Sequence, residues 1–246
     1  PWMSGLGGGG FMVVYVAAQK RVRVVDFGMI APSGLNPADY PLTGATGADL
    51  FGWPAVMGDV NFHGVKSIAV PGSVAGYALA AESFGRKSWG ELIAPAVGLA
   101  ERGHRVGWWT TMNVASEAGL LGRYPGSKAV WLPGGLVPTM AADIDPNHLP
   151  LGNLPATLLN LAKNGPRAFY EGPIAKSIAA DTQAAGGTLS EDDLANYAAR
   201  IVDPLTVTRG DAIYNLAGGL TAGPTFADAL SHMPTFSGAS PDAETY

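Results

Sequence analysis

The chain has 246 residues, 47% of them hydrophobic and 14% charged, enough to bury a core in one large domain or two small ones. A formal net charge of −5 with no basic run argues against nucleic-acid binding and a polybasic membrane surface, and no apolar stretch reaches the roughly 18 residues that span a bilayer. The absence of cysteine excludes disulfides, thiolate metal ligands and a cysteine nucleophile.

The chain starts at Pro1 without a methionine and reaches an apolar run after only ten residues, which reads as a fragment or as one chain of a processed protein. A glycine knot, Gly5 with Gly7 to Gly10, opens into Phe11 to Ala17. A polar break at Ala18, Gln19 and Lys20 precedes a second run, Val22 to Phe27, which ends at Gly28. This predicts a β-hairpin whose base is a backbone nearly free of side chains, able to pack closely or to approach a ligand. Chemistry is expected near the ends of these strands. From Pro32 to Pro71 no periodicity is visible, which predicts a long, functional or mobile loop.

Pro71-Gly72-Ser73 predicts a helix start with Ser73 as N-cap, an apolar face of Val74, Tyr77, Ala78 and Ala81, and a C-cap at Gly85. Ser88 and Glu91 form a capping box opening a helix from Trp89 to Arg102, in which Pro95 predicts a kink or a late start. Trp108 to Leu121 is expected to be helical, Ser127 to Leu132 a short strand, and Leu154 to Lys163 a helix broken by Asn164-Gly165-Pro166. A helix is predicted over about Gly172 to Ala185, then another from Glu191 to Ala199 under a Ser190/Asp193 capping box. Asp203 to Asn215 alternates around Leu205, Val207 and Ile213, predicting a strand pair that turns at Arg209-Gly210-Asp211. A short helix from Thr225 to His232 completes a mixed chain, strands at both ends and helices between.

Most candidate chemistry has a plain structural explanation. Gly5-x-Gly7-x-x-Gly10 matches a dinucleotide fingerprint in form, but that motif needs a strand before it and a helix after it, and here a strand follows. Tight backbone packing is the better explanation. Asp143-x-Asp145-x-Asn147 resembles the start of a calcium loop, but His148 and Leu154 stand where glycine and glutamate are needed. The histidines at 63, 104, 148 and 232 have no metal-ligand spacing. There is no Gly-x-Ser-x-Gly elbow, and no base can be placed beside Ser73 or Thr43. Glu191, Asp192 and Asp193 suit a first helical turn, where negative charge complements the helix dipole. The residues alone stop at a globular α/β-type chain with no visible catalytic machinery.

Four stretches, in order, go further: SGLGGGGFMVVY, VVDFGMIAP, VPGSVAGYALAAESFGRKSWGELIAPAVGLAERGHRV and NGPRAFYEGPIAKSIAADTQAAGGTLSEDDLANYAAR. Together, over about Ser4 to Leu230, they resemble the large subunit of γ-glutamyltranspeptidase-like proteins. The resemblance implies an α+β, four-layer αββα N-terminal nucleophile hydrolase fold, with residues 1–246 as a large-subunit portion: first hairpin 11–27, helical region 73–200 and second strand pair 203–215. It implies a precursor that cleaves itself, so that a threonine at the start of a separate small chain serves as nucleophile and, through its own α-amine, as base. The substrate would be a small-molecule amide, typically γ-glutamyl; no metal or cofactor is required, and no catalytic residue lies in this chain. The sequence departs from the family at two places. After the hairpin the family reads Asp-Phe-Arg-Glu, and this chain reads Asp26-Phe27-Gly28-Met29. Gly28 and Met29 are therefore the substrate-binding candidates, and a smaller or more apolar acyl group than γ-glutamyl is expected. The proline- and serine-rich run near the second strand pair is also replaced, by residues Leu216 to Gly223. A family relative that has lost activity and acts as a binding or scaffold protein is the alternative, with a dehydrogenase a distant third.

Overall fold

The computed structural model describes residues 5–47, 52–140 and 147–233. The chain forms two compact units: one from Pro1–Arg86 and Ala175–Tyr246, the other from Lys87–Ile174.

The first unit opens with the predicted hairpin. β1 (Gly10–Val16) and β2 (Arg21–Phe27) are antiparallel, from Gly10 opposite Phe27 to Val16 opposite Arg21, and the reversal is a short 3-10 turn closed by Lys20 in the left-handed region. The stretch read as an aperiodic loop contains a second small hairpin, β3 (Leu42–Thr46) with β4 (Pro54–Val56). Every residue of β3 is exposed, so the strand has no buried face to impose an alternation on the sequence.

α1 (Ser73–Phe84) begins one residue earlier than a Ser73 cap would allow. Gly72 is the N-cap, and Ser73 is the first helical residue. The Ser73 hydroxyl is fully buried and has no hydrogen-bond partner among the described residues, so it does not cap the helix. The Gly72 and Ser73 N–H groups both donate to the Gly8 carbonyl, at 2.8 and 2.9 Å. The glycine is required by space: a Cβ at Gly72 would lie 2.1 Å from the Phe27 carbonyl oxygen. One turn on, a Cβ at Gly76 would lie 2.1 Å from Phe27 Cγ. The helix thus rests directly on Phe27, whose ring meets Tyr77 edge-on at 5.5 Å. Val24, Val25, Val70 and Val74 are buried in the same unit.

The second unit begins with α2 (Trp89–Arg102) and the predicted capping box. Glu91 Oε2 accepts from the Ser88 N–H at 2.9 Å and from its hydroxyl, and the Ser88 hydroxyl accepts from Glu91 N–H. The hydrogen bonds from Ser88 hold the Glu91 carboxyl below its ordinary range. The helix runs through Pro95 from its first turn, so there is no late start. β5 (His104–Arg105) follows, then α3 (Trp108–Ser116) and α4 (Ala118–Leu121) in place of one continuous helix. Between them Glu117 leaves helical geometry, and Asn113 and Ser116 hydrogen-bond back to carbonyls one turn earlier, competing with the helix ladder.

Of residues 127–132, expected as a strand, the first five belong to a helix, α5 (Pro125–Trp131), and Leu132 is its C-cap. Pro125 occupies its first position, where the missing N–H costs nothing and the fixed φ suits a helix. β6 (His148–Leu149) pairs with β5, and α6 (Leu154–Asn164) packs on α2. Trp89 Nε1 donates to the Leu161 carbonyl at 2.9 Å across that contact. Asp143 and Asp145 lie outside the described residues.

α7 (Pro173–Ala184) carries the chain back into the first unit, followed by α8 (Glu191–Ala195) under the predicted Ser190/Asp193 box. α8 stops four residues before the expected Ala199. The chain then extends into β7 (Arg200–Val202), which pairs antiparallel with β2 and completes a sheet ordered β1-β2-β7. The predicted second hairpin is present as β8 (Leu205–Arg209) with β9 (Ala212–Leu216), and α9 (Gly223–His232) packs on β8. Helices and strands are both prominent, in an α+β arrangement.

Candidate functional site

Strand register decides what gathers at the end of the first hairpin. Phe11 lies opposite Asp26, and Asp26 lies opposite Arg200. Because side chains alternate along a strand, Phe11, Val13 and Tyr15 share one face of the sheet with Asp26 and Arg200. Phe27 points to the opposite face, against α1. Phe11, Val13 and Tyr15 are all exposed, an apolar strip on the face that carries the ion pair.

Gly28, one of the two candidate residues, is held at both its polar groups. Its N–H donates to Asp26 Oδ1 at 3.1 Å, and its carbonyl accepts from the Tyr197 hydroxyl at 2.8 Å. Burial first, and then the nearby Asp26 charge, push the Tyr197 phenol up to about 12, with Arg200 opposing. It is therefore a firm donor at neutral pH. The other Asp26 oxygen, Oδ2, accepts from Arg200 Nε at 2.8 Å and lies 2.7 Å from Arg200 Nη2. The backbone of Gly28 is not left-handed. What a side chain there would meet is Phe11: a Cβ would stand 3.1 Å from its Cζ and 3.4 Å from Asp26 Oδ1.

Part of the glycine knot packs as tightly as the sequence suggests. A Cβ at Gly9 would lie 2.7 Å from the Phe27 carbonyl oxygen, whereas Gly5 and Gly7 have open space around them. At Gly9, at the strand end of the knot, glycine is sterically required.

These elements line a pocket of about 400 Å³. Gly9, Gly10 and Gly28 contribute backbone, Phe11, Met29 and Ile30 contribute apolar surface, and Asp26 and Arg200 contribute charge. The segment Gly218 to Leu220, from the run that departs from the family pattern, forms another wall. Met29, the second candidate, is half exposed, and with Ile30 it also borders a larger apolar pocket of about 660 Å³ that extends past Leu35, Tyr40 and Ile68. Gly28 and Met29 are thus neighbours in one pocket.

Two residues at this site were not singled out by the sequence. Tyr197 lies in the stretch expected to be helical up to Ala199, and Arg200 lies between that stretch and the strand pair expected from Asp203. The available signal was the pair Ile201-Val202 just before Asp203-Pro204, a short β-branched run. Its pairing with β2, which puts a cation opposite Asp26, is not a local property. Elsewhere, His104 Nε2 lies 2.9 Å from Thr110 Oγ1, and His232 lies beside Asp228. Among the described residues no group of three or more His, Asp or Glu side chains could hold a metal ion, and no helix is long and apolar enough to cross a membrane.

Comparison with known proteins agrees with the order of the motifs. The gamma-glutamyltranspeptidase family model matches residues 1–245. The chain is 33% identical over 208 residues to the acylase ACY 1 proenzyme of Pseudomonas sp. (strain SE83), covering 83% of this chain and 35% of that protein. It is 32% identical over 205 residues to the glutathione hydrolase proenzyme of Bacillus subtilis (strain 168), covering 83% and 32%. Its structure is similar to that of Helicobacter pylori gamma-glutamyltranspeptidase, with a TM-score of 0.78 at 25% identity over 92% of this chain and 60% of that one. The α+β fold is that of the N-terminal nucleophile hydrolases. The chain spans about a third of the length of the curated relatives it matches. It belongs to the gamma-glutamyltranspeptidase family.

Proposed function

We propose that residues 1–246 are the large-chain portion of a two-chain amidohydrolase or acyltransferase whose nucleophile is the N-terminal threonine of a small chain released by self-cleavage. The observation that carries this reading is a family match along the whole chain to relatives named as proenzymes, of which the chain spans only a third. The apolar strip of Phe11, Val13 and Tyr15 supports it, as a sheet face suited to cover by further chain. In this reading the threonine hydroxyl, deprotonated by its own α-amine, attacks the amide carbonyl. The amine leaves with a proton, and water or an acceptor amine then takes the acyl group. Residues 1–246 supply a wall of the acyl pocket, and catalysis by this portion alone is not expected.

Gly28 and Met29 set the acyl preference in this proposal. Where relatives are expected to place an arginine and a glutamate, this pocket has no side chain and a thioether. Loss of a desolvated, charge-assisted pair costs about 2–5 kcal/mol of binding, so γ-glutamyl is not the preferred acyl group. The same substitution is the observation that favours the second reading, an inactive relative serving as a binding or scaffold protein.

Co-expression with the downstream coding sequence distinguishes the two. The expected outcome is a self-cleaved pair whose small chain starts with threonine by mass spectrometry and which hydrolyses amides across an acyl panel. An intact precursor without hydrolysis would overturn the enzymatic reading. In the cleaved pair, Gly28→Arg with Met29→Glu should raise activity on γ-glutamyl amides about tenfold or more. An unchanged preference would remove these two residues from the specificity assignment.

A further inference from the structure

The larger pocket beside Met29, about 660 Å³, is built by the stretch that shows no periodicity in the sequence: every residue lining it falls between Met29 and Ala69. Hydrogen bonds across that stretch hold its walls. The Val70 N–H donates to the Ile30 carbonyl, the Met57 N–H to the Pro41 carbonyl and the Tyr40 hydroxyl to the Lys66 carbonyl, each at 2.8 Å. Long loops held in order are where binding sites concentrate.

The lining is apolar: Met29, Ile30, Leu35, Leu42, Val56 and Ile68. Among the described residues that line it, only Lys66 is charged. The Tyr40 and Ser67 hydroxyls already donate to the Lys66 and Gly64 carbonyls. Of the six apolar side chains, all except Val56 are exposed in this chain, so the pocket presents apolar surface still in contact with water. Covering it with hydrocarbon is favourable, and its volume suits a small molecule.

The pocket shares a wall with the candidate acyl pocket. Met29 and Ile30 line both this space and the one of about 400 Å³ at Gly28. The base of the Met29 side chain rests against the glycine knot, where a Cβ at Gly9 would stand 2.8 Å from Met29 Cγ. Beyond that point it is an unbranched, half-exposed thioether that can adjust to a neighbouring chain. An acyl group that extends from Gly28 past Met29 therefore meets apolar surface, where the family pattern would have placed a glutamate.

From this arrangement, and resting on the amidohydrolase reading above, we infer that the pocket within residues 29–69 is an acyl-chain subsite and that the substrate is an amide of a medium-chain fatty acid. The carbonyl end lies at the pocket beside Gly28, and the hydrocarbon tail lies along Met29, Leu35 and Ile68.

Four p-nitroanilides test it with the self-cleaved pair: butyryl, octanoyl, γ-glutamyl, and suberyl, which has the length of octanoyl but ends in a carboxylate. Octanoyl should exceed butyryl in kcat/KM by about tenfold to a hundredfold, because each buried methylene is worth up to about fourfold. It should also exceed suberyl, whose carboxylate must give up water among apolar side chains. Ile68→Asp, at an exposed position, should bring the octanoyl-to-butyryl ratio close to one. The wild-type ratio tests the inference without any variant. Equal rates on octanoyl and butyryl overturn it while leaving the amidohydrolase reading intact, as does a folded Ile68→Asp protein with an unchanged ratio. A preference for suberyl would move recognition to a charge and also overturn it. Hydrolysis of none of the four by a correctly cleaved pair removes the amidohydrolase reading, and this inference with it.

Discussion

The two units of this chain are built by different means. The unit of Lys87–Ile174 is one continuous stretch: its helices carry their own caps and apolar stripes, and its principal helix pair is closed by Trp89 on the Leu161 carbonyl, 72 residues away. The other unit joins segments far apart in sequence. Asp26 meets Arg200 across 174 residues, Gly28 meets Tyr197 across 169, and Ser33 meets Asp193 across 160. The candidate pocket lies in this second kind of unit. Its geometry depends on close backbone approaches at Gly9 and Gly72, where a Cβ would stand 2.7 and 2.1 Å from the Phe27 carbonyl oxygen, whereas a Cβ at Gly28 meets only the end of the Phe11 ring.

Matched glycine substitutions give the sharpest test of that contrast. Gly76→Ala puts a methyl 2.1 Å from Phe27 Cγ, the root of a buried side chain and not its movable end. Overpacking there should destabilise the protein by about 3 kcal/mol in urea unfolding. Gly98, inside α2 of the helical unit, has no atom of the described residues, beyond its own helix backbone, within 4 Å of where a Cβ would stand. Gly98→Ala should stabilise by about 0.5–1 kcal/mol, because alanine loses less backbone entropy in a helix. If both changes had the same sign, the claim that close packing sets the glycines of the first unit would fail.

The next effect concerns the clamp on Gly28. Tyr197→Phe removes the donor to the Gly28 carbonyl and should cost about 1 kcal/mol at neutral pH. It should also change the alkaline response. The wild-type phenol is raised from 10 to about 12, so its contribution is complete below pH 10 and is lost as pH rises through 12. The stability difference between wild type and Tyr197→Phe should shrink over that window. A difference constant from neutral pH to pH 12 would mean that the hydroxyl is not held as described.

The same division explains what could be read from the sequence. The first hairpin, both capping boxes, the β8–β9 hairpin and most helices are set by neighbours in the chain, and all were legible. The errors have local causes of their own. Ser73 looked like a cap because serine is a good one, but the required close approach of Gly72 to Phe27 moves the helix start back by a residue. Residues 127–132 looked extended until Pro125 is recognised as a first helical position. At the site, Gly28 and Met29 could be picked out by comparing one motif with its family pattern. Arg200 could not, because its place opposite Asp26 follows from a strand pairing that no window of sequence contains.

The smallest expected effect lies in the helical unit, and it has the opposite pH sense. His104 holds Thr110 Oγ1 with Nε2 and meets the edge of the Trp131 ring. Burial, and then the charge of His148, lower its pKa from 6.5. A histidine depressed in the folded state contributes stability above its unfolded value near 6.5 and loses it as pH falls through the lowered folded value. His104→Gln can keep a polar contact to Thr110 without titrating, so it should flatten the acid limb of the stability profile below pH 6.5 and leave the alkaline limb unchanged. Tyr197→Phe should do the reverse. Exchange of the two responses, or a change in both limbs from either variant, would contradict the assignment of the acid limb to His104 and the alkaline limb to Tyr197, since sites without shared partners act additively.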